Sequence, residues 1–211
     1  LIPRPNLTAG RTVFNYSGKI TGTANANAPN TLASSFNIKA EVEIPEGGGE
    51  GVLVTHGGRF AGYGFYLLDG KPVFLYNLFG MKRSRWEGKE ALDPGRHTIE
   101  FDFKYDGLGA ETLLYGNPSG LGQGGTGELK VDGKVVAEQK IDKTIPMLMQ
   151  WCESFDVGAD TGSPVSDVDY TTPFEFTGKL DKLTLTIDRP KLSPEDIRKL
   201  QAAMNNNPAA D

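Results

Sequence analysis

An all-β fold, two antiparallel sheets packed as a jelly-roll sandwich with a short C-terminal helix, is what this sequence predicts. Three observations carry that reading. Several runs alternate apolar and polar residues with period two, which gives each strand one apolar face. Asp-Gly pairs separate such runs, and that dipeptide tolerates the positive φ of a two-residue hairpin turn. Glycine supplies 27 and proline 13 of the 211 residues, with no collagen-like period, so turns are frequent.

The elements follow in order along the chain. Ser35 to Ile44 alternates cleanly, and Pro45-Glu46-Gly47-Gly48-Gly49 ends it. Val52-Leu53-Val54 starts a strand that stops at Gly57-Gly58. Tyr63 to Leu68 and Val73 to Phe79 flank Asp69-Gly70-Lys71-Pro72, which predicts a hairpin. After Pro94-Gly95, His97 to Tyr105 places His97, Ile99, Phe101, Phe103 and Tyr105 on one face, so His97 reads as a partly buried, satisfied histidine. Residues Gly107 to Gly127 read as a long glycine-rich loop. Gly127 to Val131 and Lys134 to Glu138 form a second hairpin about Asp132-Gly133, and Lys179 to Ile187 is a late strand. About ten strands with tight turns bury their apolar faces most economically as two packed sheets. Ser193 as cap, Pro194 at the first helical position and Glu195 and Asp196 at the positive end predict one helix, with Ile197, Leu200 and Met204 on one side. The sandwich spans residues 1–190, and 191–211 is a helix and tail of the same domain.

Composition excludes several function classes. A net charge of −5 argues against nucleic acid, whose phosphates call for a basic surface. No apolar run reaches the roughly 20 residues of a membrane-spanning helix. Cys152 is the one cysteine, so no internal disulfide forms, and its apolar setting beside Trp151 reads as a buried thiol. The opening Leu1-Ile2-Pro3-Arg4-Pro5 carries no signal-peptide pattern and reads as a processed product or a domain of a longer chain.

Motifs for chemistry are few. There is no Gly-x-Ser-x-Gly elbow, and His56 and His97 are the only histidines. Two histidines and one cysteine do not make a usual zinc site. Gly120-Leu121-Gly122-Gln123-Gly124-Gly125 matches a dinucleotide fingerprint, but a strand follows where that site needs a helix. Glu100 and Asp102 begin a glycosidase-like run of strand carboxylates, but Tyr105 stands where the third acid belongs.

Three features remain as candidates. His56, in His56-Gly57-Gly58-Arg59 at a strand end, reads either as structural or, with Arg59, as a ligand or interface contact. Lys82-Arg83-Ser84-Arg85-Trp86 is either a solvated loop or a contact for an anionic glycan, with Arg83 and Arg85 as donors and Trp86 and Tyr63 as stacking rings. Asp156, Asp160, Asp167 and Asp169 fall in one loop, where they either hold a calcium ion with loop carbonyls or cap turn amides.

The ordered set of motifs resembles the C-terminal accessory domain of bacterial arylsulfatases. It comprises Glu41-Val42-Glu43-Ile44-Pro45-Glu46-Gly47, Gly57-Gly58-Arg59-Phe60-Ala61-Gly62-Tyr63 and Asp69-Gly70-Lys71 before Tyr76-Asn77-Leu78. Pro94-Gly95-Arg96-His97-Thr98, Gly124-Gly125-Thr126-Gly127, Val131-Asp132-Gly133-Lys134 and Asp156-Val157-Gly158 through Val165 complete it. The likeness runs from about residue 5 to residue 188, while Leu108 to Gly122 looks longer than the family's loop. The last helix looks more like laminin-G and concanavalin-like modules. The resemblance implies a non-catalytic domain that packs on a sulfatase catalytic domain, in a periplasmic or extracellular protein. A free carbohydrate-binding module is the alternative, and a glycosidase of concanavalin-like fold the second alternative. The sulfatase signature Cys/Ser-x-Pro-x-Arg is missing: Leu92-Asp93-Pro94-Gly95-Arg96 offers no convertible residue, and Cys152 is followed by Glu153-Ser154. No catalytic residue of the family carries over.

Overall fold

The computed structural model describes residues 8, 10–109, 120–146 and 153–205. Cys152, Trp151 and residues 110–119 of the glycine-rich loop lie outside the described residues. The chain forms two antiparallel sheets. The first has the order β1 (Val13–Tyr16), β14 (Lys179–Asp188), β3 (Ser35–Ile44), β8 (Gly95–Tyr105), β9 (Gly122–Val131) and β10 (Lys134–Thr144). The second runs β12 (Ala159–Asp160), β13 (Phe174–Glu175), β4 (Gly51–Gly57), β5 (Gly62–Leu68), β6 (Lys71–Leu78) and β7 (Lys82–Glu87), with β11 (Phe155–Val157) between β4 and β2 (Ile20–Thr23). One short pairing, Glu175 with Val52, is parallel. The helix α1 (Pro194–Asn205) follows, and no helix of the described residues is long and apolar enough to cross a membrane.

Alternation places the core between the sheets. Ile38, Ala40 and Val42 of β3, Ile99 and Phe101 of β8, and Leu183 and Leu185 of β14 are fully buried from one side, facing Tyr63, Phe65, Leu67 and Phe74 from the other. Phe74 and Phe101 stack across the sheets with their planes 7° apart, and Trp86 packs edge-on against both. Burying side chains of this size contributes about 1.5–3 kcal/mol each before the entropy cost of ordering them.

Both Asp-Gly hairpins form as the sequence predicts, with Asp69 and Asp132 at positive φ. The start of α1 also holds: Ser193 Oγ accepts from the Asp196 amide at 3.1 Å, and the Asp196 carboxylate accepts from the Ser193 amide at 2.9 Å.

Two expectations need correction. Residues 122–127 are not loop but the first half of β9. Their glycines serve close approach: a Cβ on Gly127 would lie 2.7 Å from both Phe101 and Trp86, and one on Gly124 would lie 2.0 Å from the Ile141 carbonyl. The stretch from Lys82 to Trp86 is likewise a strand, β7, whose Ser84 and Trp86 turn inward while Arg83, Arg85 and Glu87 turn outward.

Candidate ligand-binding site

The outward face of the second sheet is largely covered. Residues 161–173 cross it and build a small second core in which Val165 and Tyr170 meet Val52, Tyr66, Val73 and Leu75. Tyr170 lies edge-on to Tyr66 and stacks on Phe174. This segment is anchored at its start by carboxylates. Asp156 accepts from the Gly22 amide (2.7 Å), the hydroxyls of Ser154 (2.7 Å) and Thr161 (2.8 Å), and the Thr161 amide (3.2 Å). Asp160 accepts from the Tyr170 hydroxyl at 2.7 Å and the Gly162 amide at 3.2 Å. Burial pushes the Asp160 carboxyl up to about 6 although both bonds pull it down.

The same crossing carries Asp167 and Asp169 to the outward arginines of β7. Arg83 reaches Asp167 at 2.8 Å, and Arg59, from the turn between β4 and β5, reaches the same carboxylate at 3.3 Å. Arg85 pairs with Asp169 and, at 2.8 Å, with Glu87, while the Tyr66 hydroxyl donates to Asp169. Burial pulls the Arg85 guanidinium down but its bonds to Glu87 and Asp169 win, and burial pushes the Tyr66 phenol up. The basic and acidic clusters, separate in sequence, thus neutralise each other in space. At Arg59 and Arg83 two cations share one acid, and at Arg85 two acids share one cation, so the charges balance but pair unevenly.

Three loops meet at this end of the sheet, and one buried side chain joins them. The Asn77 amide donates to the carbonyls of Arg59 (2.8 Å), Gly58 (3.2 Å) and Val165 (3.3 Å), and its oxygen accepts from the Gly80 amide at 2.9 Å. The turn between β4 and β5 is further held by Ser163, whose hydroxyl accepts from the Arg59 amide at 3.1 Å and donates to Glu153 at 2.6 Å. Gly57 and Gly62 close that turn at positive φ, with each backbone where the other's Cβ would stand. On these loops Phe60, Phe79, Met81 and Val168 are 38–81% exposed. They form half of the large exposed apolar side chains among the described residues. Hydrogen-bonded loops that carry exposed rings, next to two guanidiniums that share one acid, suit a ligand that is part apolar face, part anion.

The structure divides the sequence candidates. Arg59, Arg83 and Arg85 come together as donors. Tyr63 and Trp86 do not join them: both are fully buried in the core, with the Trp86 indole donating to the Gly127 carbonyl at 2.8 Å. Their inward parity, shared with Phe65 and Phe74, removes them from any surface. His56 is buried against Tyr63 and Phe155. Burial pushes it down to about 4, so it is neutral, and its Nε2 lies 2.7 Å from the Asn25 side-chain oxygen, which makes Nε2 the protonated nitrogen. Of the four aspartates, Asp156 and Asp160 bond hydroxyls and amides whereas Asp167 and Asp169 bond arginines. Among the described residues no group of three or more His, Cys, Asp or Glu side chains is placed to hold a metal ion. Sequence reasoning missed Phe60, Phe79, Met81, Val168 and Asn77, although apolar residues beside turn glycines were a readable signal for the first three.

No family model and no curated protein matches the chain. Solved structures do. The CBM40 module of the Ruminococcus gnavus IT-sialidase has a TM-score of 0.52 at 12% identity, covering 90% of this chain and 98% of that one. Its form bound to α2,3-sialyllactose gives 0.50 at 13% identity, covering 90% and 97%. A leech intramolecular trans-sialidase gives 0.51 at 11% identity, covering 90% of this chain but only 27% of its own. None of these comparisons links the chain to sulfatases. At such identities the likeness establishes the architecture, and this chain is a β-sandwich of the kind seen in sialidase carbohydrate-binding modules.

Proposed function

We propose that this chain is a non-catalytic glycan-binding module acting outside the cytoplasm, with its ligand site at the loop end of the second sheet. One observation carries the reading: Arg59 and Arg83 share the single acid Asp167 beside the exposed Phe60 and Val168, on loops joined by Asn77. A half-exposed ion pair of this kind is worth about 0–1 kcal/mol, so a ligand carboxylate or sulfate replaces Asp167 at little cost. An apolar sugar face then rests on the rings. The sandwich neighbours that are sialidase modules, one of them bound to sialyllactose, support the same assignment.

The test is calorimetric titration with sialylated, sulfated and neutral oligosaccharides, with and without calcium. Saturable binding of an anionic glycan is expected, and Arg83→Gln should weaken it about tenfold or more, the effect of one charge-assisted hydrogen bond. Absence of saturable binding with every glycan, or equal binding by R83Q, refutes the site.

The exposed apolar side chains of the three loops favour a second reading, the accessory domain of a sulfatase docked through this end onto a catalytic domain. Under that reading Phe60→Ser with Met81→Ser weakens association with the catalytic domain and leaves glycan titrations flat.

A further inference from the structure

At the opposite end of the sandwich, the loop 88–94 and the turn joining β9 to β10 stand on either side of a cleft of about 560 Å³. Leu92 and Asp93 line one wall, Asp132 and Val135 the other, and Pro72 and Val131 are also part of its lining. His97, at the start of β8, bonds one residue of each wall. Its Nδ1 lies 2.8 Å from the Asp132 carboxylate and its Nε2 lies 2.9 Å from the Asp93 carbonyl. Both partners only accept hydrogen bonds. A neutral imidazole carries a proton on one nitrogen alone, so it can satisfy one of them while turning a lone pair on the other. Only the imidazolium makes both bonds.

We propose that His97 is a pH-responsive clamp: protonated, it ties the loop 88–94 to the β9–β10 turn across the cleft, and on losing its proton it frees one wall. The surroundings fit that role. The Asp132 carboxylate is itself fixed, accepting from the Thr98 amide at 2.8 Å, while the Asp132 amide donates to the Thr98 carbonyl at 2.8 Å. Glu41 of β3 and Asp181 of β14 line the recess on the other side of the ring, with Arg96 of β8 opposing them and Lys134 of β10 near Asp132. Lys179 of β14 holds Asp181 at 2.6 Å, so Asp132, which bonds the ring directly, is the acid that decides its charge. Partial burial lowers its proton affinity, but the Asp132 and Asp93 bonds raise it by more, and the group sits above its ordinary value. For a raised histidine the stabilisation is complete below about pH 6.5 and is lost as pH rises through the folded-state value.

The experiment is an NMR titration of the two histidine rings in the whole chain, with hydrogen exchange at the Thr98 and Asp132 amides on the turn side and at the Leu92 amide, bonded to the Gly70 carbonyl, on the loop side, corrected for intrinsic rates, between pH 5.5 and 8.5. His56→Gln assigns the signals. The His97 midpoint is expected above 6.5, with protection falling about fivefold as it is crossed on whichever side is released, turn or loop, the effect of one hydrogen bond. In His97→Gln that fall should vanish, and in Asp132→Asn the His97 midpoint should drop. A midpoint at or below 6.5, or protection that ignores pH in the unaltered chain, overturns the clamp.

Discussion

Replacing Asn77 by alanine tests how the ligand-binding loops are held. The side chain is fully buried and offers two N–H groups to three carbonyls, plus one oxygen to the Gly80 amide. Alanine removes about three net hydrogen bonds, each worth about 0.5–1.5 kcal/mol. Water reaches the neighbouring loop surface and recovers part of the loss, so a destabilisation of about 2–4 kcal/mol is expected. For a chain of this length that lowers Tm by about 4–16 °C. Urea unfolding followed by fluorescence measures it, and an unchanged m-value shows that native compactness is kept. Asn77→Asp sharpens the test. The carboxylate still accepts from Gly80 but faces three carbonyls without a proton to give, so it should destabilise at least as much at neutral pH and recover on acidification. A loss under about 0.5 kcal/mol in N77A would refute the view that Asn77 organises these loops.

Further predictions concern the core and the covered face. Trp86→Phe removes the indole's bond to the Gly127 carbonyl and part of the packing, so chemical denaturation should show a loss of about 1–3 kcal/mol. Gly127→Ala forces a methyl against Phe101 and Trp86 and should cost about 1–3 kcal/mol in the same assay, whereas Gly47→Ala, with open space around it and no positive φ, meets no such contact. Asp160, raised to about 6, prefers its protonated form in the folded state, so its contribution is fullest below about pH 4 and is lost as pH rises through 6. Thermal melts across that window should therefore flatten in Asp160→Asn. In Tyr170→Phe the lost hydroxyl bond should move the Asp160 midpoint upward, as read by carboxyl NMR.

The strands that could be read in advance are those with one wet face. β3, β8 and β14 alternate because the first sheet is open to solvent on its outer side, and their burial patterns repeat the sequence pattern. β4, β5 and β6 are buried on both faces, since residues 161–173 cover the second sheet, and there the aromatic runs and the turn pairs gave the signal instead. β7 escaped because its outward residues are Arg83, Arg85 and Glu87, which look like a charged loop until their partners are known. The short strands β1, β2 and β11 to β13 carry too few residues for a period to emerge, and β9 was hidden by glycines that tertiary contacts require.

The site shows how folding pairs side chains that the sequence presents apart. Two clusters of opposite sign, 70 to 90 residues apart, invite two separate ligands, an anion for the arginines and a cation for the aspartates. Folding brings Asp167 and Asp169 to the arginines, where Asp169 and Glu87 occupy Arg85 but Asp167 alone serves Arg59 and Arg83. The uneven pairing leaves two guanidiniums on one acid, and Arg59 and Asp167 are the chain neighbours of the exposed Phe60 and Val168. A double-mutant cycle of Arg83→Gln and Asp167→Asn follows from that arrangement. If Asp167 occupies the ligand's anion position, D167N frees both guanidiniums and should tighten binding of an acidic glycan severalfold. The gain should shrink once Arg83 is gone, because one of the two competing pairs no longer exists. If D167N weakens binding instead, Asp167 positions the arginines for the ligand and does not compete with it, and the carboxylate belongs to the site in its own right.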